Sequence, residues 1–223
     1  ILRHLALPHD LSGKRVLVSA GPTQEAIDPV RYLTNHSTGK MGYALARMAM
    51  LRGADVTLVS GPTAIEPPPF LRTIPVVSAQ DMYDAISENA PQADFIFMAA
   101  AVSDYTPTVC ADNKIKKKDG DMSIPPKRTQ DILGFLGEHR APGQILCGFS
   151  METQNMLENS RAKLDKKHVD MICANNLKVP GAGFGVDTNI LTLITRDAVT
   201  ELPKMSKEEA ANAILDQALA LMK

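Results

Sequence analysis

The sequence predicts an α/β protein: a Rossmann-like, mostly parallel sheet flanked by helices, with a lysine-rich flap and a C-terminal β-hairpin. Three observations predict it. Short β-branched runs alternate with stretches whose apolar residues recur at helical spacing. One run, "ADFIFMAAAVSDY", is continuously apolar, as expected of a central strand covered on both faces. Finally, "VLVSAGPT" is echoed by "VTLVSGPT", so two strands should end in similar turns beside one another. Right-handed crossovers then bring the strand carboxyl ends to one edge, where ligands bind in such sheets.

Taken in order, "KRVLVSAGPT" gives a first strand over residues 15–19, stopped by Gly21-Pro22. An irregular excursion leads into a helix over residues 40–52, where Met41, Leu45, Met48 and Ala49 share a face and Gly53 ends the run. "ADVTLVS" is the second strand. The Pro-rich "EPPPFLRTIPVVSA" carries a third over residues 72–76, and Ser78 caps a helix over 79–89. Beyond the apolar strand, residues 106–127 are polar and lysine-rich around "DNKIKKKDGD", without periodicity. They read as a flap, with Asp119-Gly120 at a hairpin turn and residues 122–125 as the return. Then come a helix over 130–138, a strand over 144–149, a helix over 155–167 and a buried strand in "VDMICANN". "ILTLIT" and "AVTELP" make the final hairpin, and residues 207–222 close the chain as a helix.

At 223 residues, 44% of them hydrophobic, the chain can bury one sizeable core, assigned to residues 14–223, with 1–13 as a linker remnant. A formal net charge of -1 argues against a surface built to grip nucleic acid, so any anion site must be local. The three cysteines lack metal spacing, and Cys147 and Cys173 sit in apolar runs, which suits buried thiols in a reducing cytoplasm. No apolar run approaches the roughly 18 residues of a membrane span.

A dinucleotide fold wants G-x-G-x-x-G at the first strand-to-helix turn and an acidic residue after the second strand. Here the turn is interrupted and the second strand ends in Ser60-Gly61, which disfavours a NAD(P)-dependent oxidoreductase. "STGKMG" is no Walker loop either, since Met follows the lysine. What remains is that Ser37, Thr38 and Gly39 precede a helix whose first N–H groups are free to meet an anion. Two readings stand: an anion site, or a helix capped by Ser37 or Thr38 with Gly42 permitting close packing. Asn35 reads as a turn former or as a donor to a developing oxyanion, and His36 as a surface histidine or a catalyst. Lys114, Lys116, Lys117 and Lys118 form the densest positive cluster, either a solvated face or a lid bringing charge to a polyphosphate. A nucleotide-binding module without catalysis would use it as a sensor.

The segments "AGPTQEAIDPVRYLTNHSTGKMG", "VTLVSGP", "AAAVSDY", "KIKK", "GFSMET" and "ICANN", in that order, resemble the phosphopantothenate-cysteine ligases of coenzyme A biosynthesis. In many bacteria this domain is the C-terminal half of a fusion with a flavin-dependent decarboxylase. The resemblance spans residues 14–222 and implies no flavin in this chain. It implies that 4'-phosphopantothenate and L-cysteine are joined with CTP and Mg2+ through an acyl cytidylate, in a cytoplasmic homodimer. It further implies that Met98, Ala99, Ala100, Asp104, residues 130–133 (Gln130, Asp131, Ile132, Leu133), Phe149, Lys163 and Lys167 hold the nucleotide. Gln130 stands where the family has proline. Lys114 is expected to meet the phosphates, Asn35 the reacting carboxylate, and Ser37, Thr38 and Gly39 ligand oxygens.

Overall fold

In the computed structural model, described over residues 7–117, 122–152, 154–176 and 185–222, eight strands form one sheet. Six are parallel. They are β1 (Arg15–Ala20), β4 (Asp55–Ser60), β5 (Arg72–Pro75), β6 (Phe95–Met98), β9 (Ile145–Glu152) and β10 (Met171–Asn176), in the order β10-β9-β6-β1-β4-β5. Antiparallel β12 (Leu191–Ile194) and β13 (Val199–Glu201) extend the β10 edge as the expected C-terminal hairpin. Three short ladders lie outside the sheet: β2 (Gln24–Ala26) with β3 (Tyr32–Thr34), β7 (Tyr105–Pro107) with β8 (Pro126–Arg128), and β11 (Thr188–Asn189) with β14 (Met205–Ser206).

Helices cover both faces. Residues of β1 alternate between them: Val16, Val18 and Ala20 pack under α1 (Lys40–Leu51) and α5 (Lys207–Leu221), whereas Leu17 faces the opposite core. That second core is closed by α2 (Ala79–Asn89), α3 (Ile132–His139) and α4 (Met156–Lys166). Phe95, Ile96 and Phe97 are at most 1% exposed, the double coverage that the unbroken apolar run demanded. Cys147 and Cys173 are buried as free thiols with Sγ atoms 3.5 Å apart, while Cys110 is exposed. No described helix is long and apolar enough to cross a membrane.

Several expectations shift. The excursion after β1 is not irregular: it folds as the β2–β3 hairpin. The flap does return antiparallel, but through Pro126–Arg128 rather than residues 122–125, since Thr106 pairs with Lys127. Lys118 and the Asp119-Gly120 turn lie outside the described residues, as do residues 1–6 of the leader. The helix expected from residue 130 begins at Ile132, because the Asp131 side chain accepts the Gly134 N–H and takes the capping position. Ser78 caps α2 as expected, in a reciprocal capping box with Asp81.

Candidate active site

Connections from β1 run to β4 on one side of the sheet and return as β6 on the other, so a crevice opens at the carboxyl ends of β1 and β6. Buried side chains shape it. Ser19 Oγ accepts the Ala100 N–H (3.1 Å) and Thr23 Oγ1 accepts that of Ser103 (3.0 Å), drawing residues 100–103 off the β6 ladder and over the end of β1. Asn35 Nδ2 donates to the Ala101 carbonyl (3.0 Å), so this exposed amide is pinned to the same loop. The resulting cleft has a volume of about 600 Å³.

One wall is the run from Asn35 through Thr38 into α1. Neither Ser37 nor Thr38 is the capping residue: that position falls to Gly39, with φ of 79°, while Ser37 Oγ accepts the Gly39 N–H. Among the described residues no side chain caps this helix and its first turn carries no acid, so its first N–H groups can meet a ligand or water. Gly42 does permit close packing: a Cβ there would lie 2.6 Å from Ala20 Cβ and 2.9 Å from the Ser19 carbonyl. The packing half of the second reading therefore holds and its capping half does not. His36 also lines the cleft.

Met98, Ala99 and Ala100 form the floor at the end of β6, and exposed Asp104 stands at its outer limit. The opposite wall joins residues 130–133 to α4. Asp131 pairs with Lys167; burial pushes its carboxyl up, but Lys167, the Gly134 N–H and Lys163 outweigh that and hold it below the usual carboxylate range. Gln130 lines the cleft too, but its amide nitrogen donates to Gln80 Oε1 (3.3 Å), which does not. Lys163, one helical turn before Lys167, donates to the Phe149 carbonyl (2.8 Å), and burial pulls its ammonium down. Lys40, Lys163, Lys167 and Lys207 line the cleft with Asp104 and Asp131; Lys167 is paired with Asp131 and Lys40 with Asp187 (2.6 Å), which leaves a local cationic excess in a chain of net charge -1. Phe149 presents a half-buried ring between the walls.

Lys114 is the exception among the expected residues. It is exposed and does not line the cleft; residues 111–115 instead dock on the tip of the β2–β3 hairpin, whose root carries Asn35. Among the lining residues that the sequence reading missed, Asn175, Asn189 and Lys207 carry polar groups fixed at the cleft. Asn189 Oδ1 accepts the Ile190 N–H (3.1 Å) and an N–H of Asn175 (2.9 Å), which fixes the Asn175 amide with its buried Oδ1 unpaired among the described residues. That acceptor can take an N–H or O–H from a ligand or a water. The two asparagines closing "ICANN" at the carboxyl edge were its sequence signal. Lys207 is 7% exposed and donates to the Val186 and Thr188 carbonyls, tying the first residue of α5 to the loop beside the cleft.

The family described as the DNA/pantothenate metabolism flavoprotein C-terminal domain matches residues 11–222. The chain belongs to that family. It is 50% identical over 215 residues to the coenzyme A biosynthesis bifunctional protein CoaBC of Bacillus subtilis (strain 168), covering 96% of this chain and 53% of that one. It thus spans about half the length of the curated relatives it matches. The crystal structure of the C-terminal domain of a CoaBC superposes with a TM-score of 0.81 at 43% identity, covering 95% of this chain and 97% of that one. A Cab2 mutant in complex with phosphopantothenate-cysteine shares the fold, with a TM-score of 0.75 at 18% identity over 93% of this chain and 88% of that one.

Metal holding can be judged from the donors. Among the described residues no three His, Cys, Asp or Glu side chains converge to cage an ion. A Mg2+ carried by nucleotide phosphates needs only one or two protein carboxylates, and exposed Asp104 at the cleft meets that requirement.

Proposed function

We propose that this domain is a phosphopantothenate-cysteine ligase of coenzyme A biosynthesis, using CTP. One observation carries the reading: residues from six separate segments, each expected from the family pattern to touch nucleotide or substrate, line a single cationic cleft at the carboxyl edge of the sheet.

A carboxylate resists amines because its charge repels them and oxide is a poor leaving group. In the proposed first step a carboxylate oxygen of 4'-phosphopantothenate attacks the α-phosphorus of CTP, and the bond to pyrophosphate breaks. The lysines of the cleft offset the charge gathered there, and Mg2+ bound through Asp104 and the phosphates would add Lewis acidity. Next, the amine of cysteine attacks the acyl carbon, CMP departs with the bonding pair, and the amine's proton is lost to solvent or the leaving phosphate. Asn35 has a second Nδ2 hydrogen beyond the one given to Ala101, and aims it at the tetrahedral oxygen; such a donor is typically worth about 3 to 4 kcal/mol. The open start of α1 holds the 4'-phosphate or neighbouring ligand oxygens.

Lys114 joins this scheme through a homodimer. Val30, Tyr32 and Leu33 on the hairpin and Tyr105, Val109 and Met122 around the flap are exposed apolar side chains on neighbouring segments, and a second copy is their assigned cover. Lys114 then serves the phosphates of the cleft between two protomers. The relatives' bifunctional names support a fused decarboxylase half in the whole protein, with flavin assigned to that half, and unbridged buried thiols suit the cytoplasm.

The test is direct. Incubation with CTP, Mg2+, cysteine and 4'-phosphopantothenate should yield pyrophosphate, CMP and the cysteine amide by mass spectrometry; absence of the amide would sink the proposal. In single-turnover assays Lys114→Gln should slow pyrophosphate release, whereas Asn35→Asp should slow CMP release. Wild-type rates in either variant would overturn its assigned role.

A further inference from the structure

We infer that Asp28 is a positioning residue for this reaction: its carboxylate clasps the flap backbone at Ile115 and thereby sets where Lys114 stands. The inference rests on the ligase reading and on the phosphate role given there to Lys114.

Asp28 sits at the tip of the β2–β3 hairpin and is 3% exposed. Its two oxygens have separate work. Oδ1 accepts the N–H groups of Val30 (2.8 Å) and Arg31 (2.9 Å), the ordinary duty of an aspartate in a turn. Oδ2 accepts Arg31 Nε (3.0 Å), Arg31 Nη2 (2.6 Å) and the Ile115 N–H (3.0 Å), the last from a residue 87 positions along the chain. Arg31 Nη2 also donates to the Ile115 carbonyl (2.7 Å), so the ion pair grips both backbone groups of that residue. Nearby, the Ala111 N–H donates to the Ile27 carbonyl (3.0 Å).

These contacts exceed what the hairpin needs. A turn is served by one oxygen, and an asparagine would supply it without the cost of burying a charge. The second oxygen is given wholly to Arg31 and the flap. Among the described residues, Ile115 alone of 112–117 makes hydrogen bonds, so the clasp is what fixes this part of the lysine-rich segment. Ile115 is half-buried against the hairpin, whereas its neighbours Lys114 and Lys116 are exposed. Burial raises the Asp28 carboxyl, but Arg31 and the Ile115, Val30 and Arg31 N–H groups prevail and hold it well below the usual carboxylate range. The clasp is therefore charged at any pH where the protein would work.

The informative variant is Asp28→Asn. Its carboxamide oxygen keeps the turn, while its NH2 group meets the donors of Arg31 and Ile115 and lets the flap go. Three results are expected: faster hydrogen exchange at the Ile115 amide with the β1 amides unchanged; pyrophosphate release slowed about 10-fold to 100-fold, the scale of a small misplacement; and wild-type CMP release from preformed acyl cytidylate. Combined with Lys114→Gln, it should slow pyrophosphate release no further than Lys114→Gln alone, because both act through one side chain. Additive losses, or unslowed pyrophosphate release, would overturn the inference. Should Asp28→Asn not fold, Ile115→Pro removes the gripped N–H without touching the hairpin and is expected to give the same pattern, its absence again overturning the clasp. If the unaltered protein releases no pyrophosphate, the ligase reading falls and the inference with it; if it does and the variants match it, the inference alone falls.

Discussion

Asp131 and Lys167 were each legible as site residues, yet their ion pair was not, because they are 36 positions apart and meet only where α3 begins beside the end of α4. The pair has a measurable consequence. A carboxyl whose folded pKa lies below its ordinary value of 3.8 gives stability that is present above that value and lost as pH falls through the folded pKa. In Lys167→Met the burial that already opposes ionisation should dominate, so the Asp131 carboxyl should titrate above its ordinary value and the acid-side loss of stability from this group should disappear, stability rising rather than falling as pH drops. Carboxyl-carbon NMR titration reads this, and an unmoved Asp131 would refute it. Asn175 shows the limit of sequence reading at this scale. Its buried oxygen, unpaired among the described residues, depends on the backbone N–H of Ile190, which no local pattern connects to it.

At the level of elements, helices announced themselves through apolar spacing, and α2 begins after Ser78, the cap expected for it. Short ladders did not. The β2–β3 hairpin joins three-residue strands, and β3 is exposed at every position, so its residues carry no apolar alternation to read. The flap's return was misplaced by a few residues for the same reason: β8 is three exposed residues, identified only by pairing with β7. The glycine-rich start of α1 was legible, and its geometry makes a prediction. Gly42→Ala brings a methyl group 2.6 Å from Ala20 Cβ, which overpacking should convert into a loss of about 1 to 3 kcal/mol in urea denaturation. Because α1 must shift away from β1, the variant should also bind inorganic phosphate or CTP more weakly; calorimetry showing unchanged binding would count against the anion role of this helix start.

For the whole molecule, the separation of Lys114 from the cleft that holds Asn35 makes assembly decisive. Homodimers of Asn35→Asp and of Lys114→Gln should each turn over poorly, whereas mixing them through denaturation and refolding should restore about a quarter of wild-type activity if the two residues come from different protomers, by the statistics of a twofold assembly. No recovery would place both in one chain's site. Val109→Asp should weaken self-association in sedimentation velocity, since it sets a charge on a side chain already 77% exposed within the apolar hairpin and flap surface.

By itself the sequence determined the α/β class, the order of the main-sheet strands and their helices, the two-faced core and many of the residues that line the cleft, because periodicity, turn chemistry and contiguous motifs are local properties of the chain. Only the tertiary structure decided which residues face one another: the Asp131–Lys167 pair, the oriented asparagines and the grip of Asp28 on Ile115. Those contacts depend on sheet order and on segments that meet from far apart in sequence, and burial there sets the protonation and hydrogen bonding that local composition leaves open.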